Sequence, residues 1–118
     1  MNKPLTFKVN IETPSQNVYS GWHWSKKHKY RNDCFVAVKE ALGNYNYESI
    51  PPHSFHFERV GKRLIDPLNC FSAYKPLMDS FTEYGIIEDD SCKYIKSVTG
   101  SQSKCKKGEK PHVIITVT

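Results

Sequence analysis

The sequence has no long apolar run: no stretch approaches the roughly 20 residues that a membrane-spanning helix needs, and the N-terminal residues lack an apolar signal region. The four cysteines are scattered and form no Cys-x-x-Cys pair, so we expect free thiols in a reducing compartment and no disulfide framework or zinc site. Internal repeats and low-complexity linkers are also absent. We therefore expect a single domain over residues 1–118, in the cytoplasm and without membrane contact.

Basic residues, by contrast, are plentiful. The chain of 118 residues carries 17 Lys and Arg against 12 Asp and Glu, which gives a formal net charge of +5. Such a surplus on a small domain points to an anionic partner, most often nucleic acid. Hydrophobic residues make up 38% of the chain, enough for one core without disulfide or metal support.

The spacing of apolar residues predicts an alternation of strands and helices. We predict four strands and two main helices in the order β-α-β-α-β-β. The strands are expected at residues 5–12, 54–60, 94–99 and 112–118, and the helices at residues 25–42 and 66–85. This order is typical of an α/β (α+β) sandwich with a small mixed sheet of about four strands.

Local signals mark the ends of the helices. Ser25 is the expected N-cap of the first helix, and Gly43 its stop. Asp66 followed by Pro67 has the pattern of an N-cap and first helical residue for the second helix. Pro76 then lies inside that helix and is expected to kink or split it. Residues 13–24 read as a loop, and residues 100–110 as a polar basic turn.

Three segments carry the side chains that are best suited to chemistry: Asp66-Pro67-Leu68-Asn69, Lys75-Pro76-Leu77-Met78-Asp79 and Glu88-Asp89-Asp90-Ser91. Mg²⁺ prefers oxygen ligands, and one or two carboxylates with phosphate oxygens suffice to hold it. A metal there can activate water, and a nearby lysine can stabilise charge on a phosphate. The set matches what phosphodiester hydrolysis requires.

Each segment also has a structural interpretation. Asp66 before a proline is an ordinary helix cap, and the Asp89–Asp90 pair is an ordinary solvated turn. Lys75 and Asp79 fit the solvent face of a helix equally well. Taken singly, none of the three segments specifies a function.

Together, however, the three segments resemble the RusA family of Holliday-junction resolvases. The specific part runs from Asp66-Pro67-x-Asn69 through Lys75-Pro76-Leu77-x-Asp79 to Gly85-Ile86-Ile87-x-Asp89-Asp90-Ser91. A weaker similarity lies in the opening loop, where Pro14-Ser15-x-Asn17 and His23-Trp24 precede a basic helix. The resemblance spans most of the chain.

The resemblance implies a RusA-like fold and a dimeric, metal-dependent endonuclease of branched DNA, such as four-way junctions. It implies Asp66, Lys75 and Asp90 as catalytic residues. It implies Mg²⁺ or Mn²⁺ as the cofactor, with Asp66, Asp90 and the neighbouring Asp89 as ligands. Asp79 is then a positioning residue that holds the lysine or a backbone group.

Leu68 departs from the family pattern, because the family has an Asp at this position and leucine offers no metal ligand. The loss of one carboxylate removes negative charge from the site and should weaken metal binding. Asn69, Glu88 and Asp89 are the substitutes that the sequence offers. A protein that grips branched DNA without cutting it is therefore the alternative.

Basic residues gather in three groups along the chain. Their members are Lys26, Lys27, Lys29 and Arg31; Arg59, Lys62 and Arg63; and Lys104, Lys106, Lys107 and Lys110. Such groups neutralise phosphates independently of sequence, although each alone is also compatible with an ordinary solvated face. A basic structural or protein-interaction domain with a coincidental motif is the third hypothesis.

Aromatic residues precede the basic helix, at Tyr19, Trp22 and Trp24. They can stack on unpaired bases at a branch point. Packing in the core or in a dimer interface is the interpretation that we favour for them. A homodimer would match the two-fold symmetry of a four-way junction.

Overall fold

The protein is a mixed α/β fold, described by a computed structural model for residues 5–43, 53–66, 70, 74–84 and 95–118. The elements are β1 (Leu5–Val9), α1 (Gln16–Ser20), α2 (Trp24–Leu42), β2 (His53–Gly61), α3 (Lys75–Glu83), β3 (Ile95–Lys104) and β4 (His112–Val117). The predicted order of strands and main helices is confirmed. The short helix α1 is an addition, because residues 13–24 were expected to be a loop.

The four strands form one mixed sheet in the order β1-β4-β2-β3. Strand β4 pairs antiparallel with both β1 and β2, whereas β2 and β3 pair in parallel. A parallel pair needs a long crossover, and the segment containing α3 lies within this one. The predicted small mixed sheet is therefore confirmed.

Alternate residues of the strands build the core. Phe55 and Phe57 of β2 lie beside Val117 and Ile115 of β4, and all four are fully or almost fully buried. They share one hydrophobic cluster with residues of both main helices, namely Tyr30, Cys34, Ala37 and Val38 of α2 and Leu77, Met78 and Phe81 of α3. Both helices therefore cover the same face of the sheet.

The opposite face of the sheet is polar. The ring of His56 lies between two hydroxyl groups of β3, with its Nδ1 2.6 Å from Thr99 Oγ1 and its Nε2 2.8 Å from Ser101 Oγ. Two residues further along each strand, Ser103 Oγ donates to Glu58 Oε2 at 2.7 Å. These bonds join β2 to β3 across a solvated surface.

Helix α2 begins at Trp24, two residues before the first helical residue that a cap at Ser25 predicts. Its N-cap is His23, whose Nδ1 accepts a hydrogen bond from the backbone N–H of Ser25 at 3.3 Å. The prediction of Ser25 as the cap was therefore wrong, because an imidazole nitrogen supplies the acceptor that a hydroxyl usually provides. The predicted stop is confirmed at Gly43, where φ is 58° and the N–H donates to Lys39 O at 2.9 Å.

Helix α3 begins much later than predicted. It starts at Lys75, so Pro76 lies in its first turn and neither kinks nor splits it. A proline fits there because its missing N–H has no partner within the helix at that position. Cys70 lies in a bend, which excludes a continuous helix over residues 66–85. The predicted end at Gly85 lies outside the described residues.

Strand β3 is longer than its sequence indicated. It continues to Lys104, so residues 100–104, which were predicted to belong to a turn, pair with β2 from Phe57 to Gly61. The turn itself follows at residues 106–109, where Glu109 N donates to Lys106 O at 2.9 Å. Gly108 has a φ of 82°, the left-handed conformation that favours glycine.

Three of the four cysteines lie within the described residues, and Cys92 does not. Cys34, Cys70 and Cys105 are free. Burial raises the pKa of the Cys34 thiol to about 12 and raises that of Cys70, so both remain protonated at neutral pH and pack as small apolar groups. None of the helices that the structure describes has the length and apolar character needed to cross a bilayer.

Burial of His53 predicts a pH-dependent stability. The residue is 2% exposed, and desolvation lowers its pKa below the ordinary 6.5, against a smaller opposing effect of a hydrogen bond with the Thr118 backbone. The unfolded chain therefore binds this proton more readily than the folded one. As the pH falls through about 6.5, the free energy of unfolding should decrease by up to about 1.4 kcal/mol per pH unit.

Urea unfolding at a series of pH values between 7.5 and 5 measures this effect as a difference between variants. His53→Asn should flatten the dependence, whereas the exposed His28→Asn should leave it as in the native chain. If the free energy of unfolding depended on pH equally in His53→Asn and in the native chain, His53 would not be the source of that dependence.

Candidate active site and nucleic-acid interface

The chain enters the candidate site through residues 62–66, which follow β2. Two side chains fix this segment: Arg59 Nη1 donates to Arg63 O at 2.7 Å, and Gln102 binds both backbone groups of Ile65. Ile65 N donates to Gln102 Oε1 at 2.9 Å, and Gln102 Nε2 donates to Ile65 O at 2.7 Å. Arg59 and Gln102 are register partners on adjacent strands. The position of Asp66 is therefore set by the sheet.

Asp66 is exposed and lies outside regular structure. Its backbone oxygen accepts a contact from Cys70 Sγ at 3.8 Å. An accessible carboxylate is the oxygen donor that Mg²⁺ and Mn²⁺ prefer, so this residue fits the expected metal.

The other expected ligands, Asp89 and Asp90, lie outside the described residues, as do Leu68 and Asn69. Across the described ranges, which exclude those positions, no group of three or more His, Cys, Asp and Glu side chains could hold a metal ion. Asp66 is thus the one expected ligand with a described position.

Lys75 belongs to a bridge between the two main helices. Asp79, one turn further along α3, places Oδ1 3.1 Å from Lys75 Nζ and Oδ2 3.2 Å from Arg31 Nη1 of α2. The role that the resemblance implied for Asp79, holding the lysine, agrees with this contact. Lys75 remains largely exposed, so a phosphate can reach its ammonium group.

The basic residues at the start of α2 differ in their surroundings. Lys26 Nζ lies 4.4 Å from the centroid of the Trp22 ring, and Lys27 Nζ lies 5.4 Å from that of Tyr19. Lys29 pairs with Asp33 at 3.4 Å, and Arg31 pairs with Asp79. Lys26 and Lys27 therefore keep more of their charge available to phosphates than Lys29 and Arg31.

The other basic groups lie at one end of the sheet. Gly61 is the register partner of Lys104, and Cys105 N donates to Gly61 O at 2.9 Å. Lys62 and Arg63 therefore emerge beside the segment that holds Lys104, Lys106 and Lys107, and all five are exposed. Trp22 lines the same pocket as Lys62 and Arg63, which brings the start of α2 to this end as well.

Arg59 does not belong to the exposed surface. The sequence grouped it with Lys62 and Arg63 on the surface, but the residue is only 7% exposed, and its guanidinium donates to two backbone carbonyl groups in the wall of a pocket. Gln102, which holds Ile65, was not singled out, because nothing in its neighbourhood in the sequence distinguishes it.

The aromatic residues before α2 divide into two kinds. Tyr19 and Trp22 pack against the core, which confirms the interpretation that we favoured for them. Trp24 is 72% exposed, so it does not pack in the core, and its packing in a dimer interface stays a prediction.

No protein-family model matches this chain, and no curated protein sequence is significantly similar to it. The likeness to the RusA family rests on the residues between Asp66 and Ser91 and on the weaker motif of the opening loop.

Proposed function

We propose that this protein is a metal-dependent endonuclease that cuts branched DNA, such as a four-way junction, as a homodimer. The observation that carries the proposal is the convergence of basic residues at the end of the sheet from which the chain runs into Asp66. Phosphates drawn to Lys62 and Arg63 would lie a few residues from an accessible carboxylate. A positively charged surface around an acidic metal site is the arrangement that phosphodiester hydrolysis needs.

Each part of the site has a role in this proposal. Asp66 and Asp90, with Asp89 beside them, would hold Mg²⁺ or Mn²⁺, which supplies Lewis-acid stabilisation and an activated water when bound. Lys75 stabilises the negative charge that develops on the phosphate oxygens. Asp79 keeps the ammonium group of Lys75 in place while anchoring itself to Arg31. The exposed basic residues bind the backbone of the DNA irrespective of its sequence.

A homodimer suits this substrate, because a four-way junction has two-fold symmetry and a two-fold dimer presents one site to each of two strands. We place the protein in the cytoplasm, where free thiols such as Cys34, Cys70 and Cys105 persist.

The alternative function is a dimer that binds branched DNA without cutting it. Leu68 favours this alternative, because it stands where the resembled family has a carboxylate. The basic surface and the bridge of Arg31, Asp79 and Lys75 would serve such a protein equally well.

Cleavage of an end-labelled synthetic four-way junction, first with Mg²⁺ and then with Mn²⁺, tests the proposal. We expect paired, symmetric nicks that disappear in EDTA. Asp90→Asn removes the negative charge but keeps the size of the side chain, and it should slow cleavage by at least about 100-fold, more than the loss of an outer-sphere group typically costs.

Two other results would replace the proposal. Salt-sensitive junction binding without cleavage, by a folded protein, would establish the binding function, and Leu68→Asp would then be expected to create cleavage. Equal affinity for junction and linear duplex at matched salt, again without cleavage, would identify a basic domain with no selectivity for branched DNA.

A further inference from the structure

A pocket of about 480 Å³ lies beside the candidate site. Its walls come from the loop before α1, from α1, from the segment between α1 and α2, and from the end of β2 with the segment that follows it. They include Glu12, Thr13, Trp22, Arg59, Lys62 and Arg63. The volume falls within the range of sites for small organic ligands, about 300–1,000 Å³. We call it the Arg59 pocket.

The Arg59 pocket contains a buried positive charge. Arg59 Nε donates to Thr13 O at 3.2 Å and its Nη1 to Arg63 O at 2.7 Å, so both acceptors are uncharged. Its Nη2 donates no hydrogen bond and its guanidinium forms no ion pair within the part of the chain that the structure describes. Buried charges in proteins are normally paired, so this one is available to an anion.

Gly61 makes room for the guanidinium. A Cβ at this position would lie 2.9 Å from Arg59 Cζ, which is closer than real contacts allow. The φ of Gly61 is not in the left-handed region. The absence of a side chain at Gly61 thus serves the close approach of Arg59 and not an unusual backbone conformation.

The wall contains a second buried polar group. Thr13 is 2% exposed, and its Oγ1 has no hydrogen-bond partner among the residues described. Buried hydroxyl groups are nearly always satisfied, so the Thr13 hydroxyl is a hydrogen-bonding group that a ligand in the pocket can engage. Trp22 adds an aromatic surface, with Lys26 Nζ 4.4 Å from its ring centroid.

We propose that the Arg59 pocket binds one unpaired nucleotide of the DNA, a proposal that rests on the proposed function and deepens it. The phosphate lies against Arg59, with Lys62 and Arg63 at the mouth, and the base packs on Trp22. The lining carries three positive side chains against one negative, Glu12, as a phosphate requires. The base must be unpaired, because a paired base stays stacked within the duplex.

The fluorescence of Trp22 reports binding directly. Trp24→Phe leaves Trp22 as the single tryptophan, since the chain has two. In EDTA, and therefore without cleavage, a single-stranded oligonucleotide of about six thymidine nucleotides and thymidine monophosphate should both change this fluorescence saturably. Thymidine without phosphate should bind at least about tenfold more weakly, the effect of one charge-assisted hydrogen bond. A blunt linear duplex, which has no unpaired loop, should leave the Trp22 signal unchanged.

Charge variants at the rim test the site without disturbing its buried floor. Lys62→Ala should weaken binding of the monophosphate by about tenfold. Lys96→Ala removes the same charge from an exposed residue of β3 outside the pocket and should change the affinity for the monophosphate less than about twofold. Glu12→Gln should tighten binding, because it removes the one negative charge of the lining.

Four results would overturn the proposal: no saturable signal with either ligand, binding of thymidine as tight as that of its monophosphate, weaker binding by Glu12→Gln, or binding of the free nucleotide but not of the oligonucleotide. The last would assign the pocket to a free nucleotide. If the protein cuts a junction but the Trp22 fluorescence changes with neither ligand, only the pocket proposal is wrong. If the Trp22 fluorescence changes saturably but the protein neither cuts nor prefers junctions, only the proposed function is wrong.

Discussion

Lys75→Ala should slow cleavage of a four-way junction by about 100- to 1,000-fold, the typical effect of removing one preorganised donor from the charge of a transition state. Asp79 Oδ1, 3.1 Å from Lys75 Nζ, holds that ammonium group where α3 begins. Binding of the junction should weaken by less than about threefold, because phosphate contacts are shared among many basic residues. Single-turnover cleavage rates and affinities in EDTA separate the two effects.

Two further variants give this result its meaning. Lys96→Ala removes an exposed lysine of β3 that has no role in the proposed site, and its cleavage rate should equal that of the native protein. Asp79→Asn keeps the size of the side chain but releases Lys75, and should slow cleavage by about tenfold, less than the loss of the lysine itself. If Lys96→Ala and Lys75→Ala slowed cleavage to a similar extent, the effect of Lys75→Ala would come from the lower net charge of the protein and not from the position of Lys75.

Phe81→Ala is expected to lower the free energy of unfolding by about 3–5 kcal/mol, the usual range for removing a buried aromatic ring. Phe81 is fully buried, and its ring centroid lies 5.5 Å from that of Phe55 and 6.3 Å from that of Phe7. The variant therefore leaves a cavity where α3 meets two strands. Urea unfolding monitored by circular dichroism measures the change.

Val36→Ala is the matched control, because this side chain of α2 is exposed. Its stability should stay within about 0.5 kcal/mol of the native value. A loss of less than about 1 kcal/mol in Phe81→Ala would mean that the contact between α3 and the sheet contributes little to the fold.

The parts of the fold that the sequence predicts well are those with one face buried. Phe55 and Phe57 alternate with polar residues, and the β-branched residues of β4 follow a run that ends at Val117. On α3 the spacing of Leu77 and Phe81 marks the inner side of the helix. Each of these elements has the core on one side and a more polar environment on the other, so the spacing of its apolar residues shows which side is buried.

Strand β3 and the start of α3 were predicted less well, for different reasons. Most residues of β3 are exposed on both faces, so no alternation of apolar side chains reveals its length. Pro76 is compatible with a kink inside a helix and with a first turn, and sequence spacing does not separate these possibilities.

Long-range contacts also limited the prediction of the candidate site. The spacing of Lys75 and Asp79 by four residues already places their side chains together on a helix. The pairing of Asp79 with Arg31, by contrast, depends on how α2 packs against α3. Burial of Arg59 depends on the carbonyl group of Thr13 and on the space above Gly61, which no local pattern encodes.

Because Gln102 of β3 forms two hydrogen bonds with the backbone of Ile65, the candidate site depends on the correct register between β2 and β3. A slip of β3 by one residue along β2 would turn Gln102 to the polar face of the sheet and bring Ser101 or Ser103 to its place. A serine side chain is too short to accept a hydrogen bond from the N–H of Ile65 and donate one to its carbonyl oxygen at the same time. A misregistered chain would therefore lose the anchored approach to Asp66, and only correctly paired molecules would carry the assembled site.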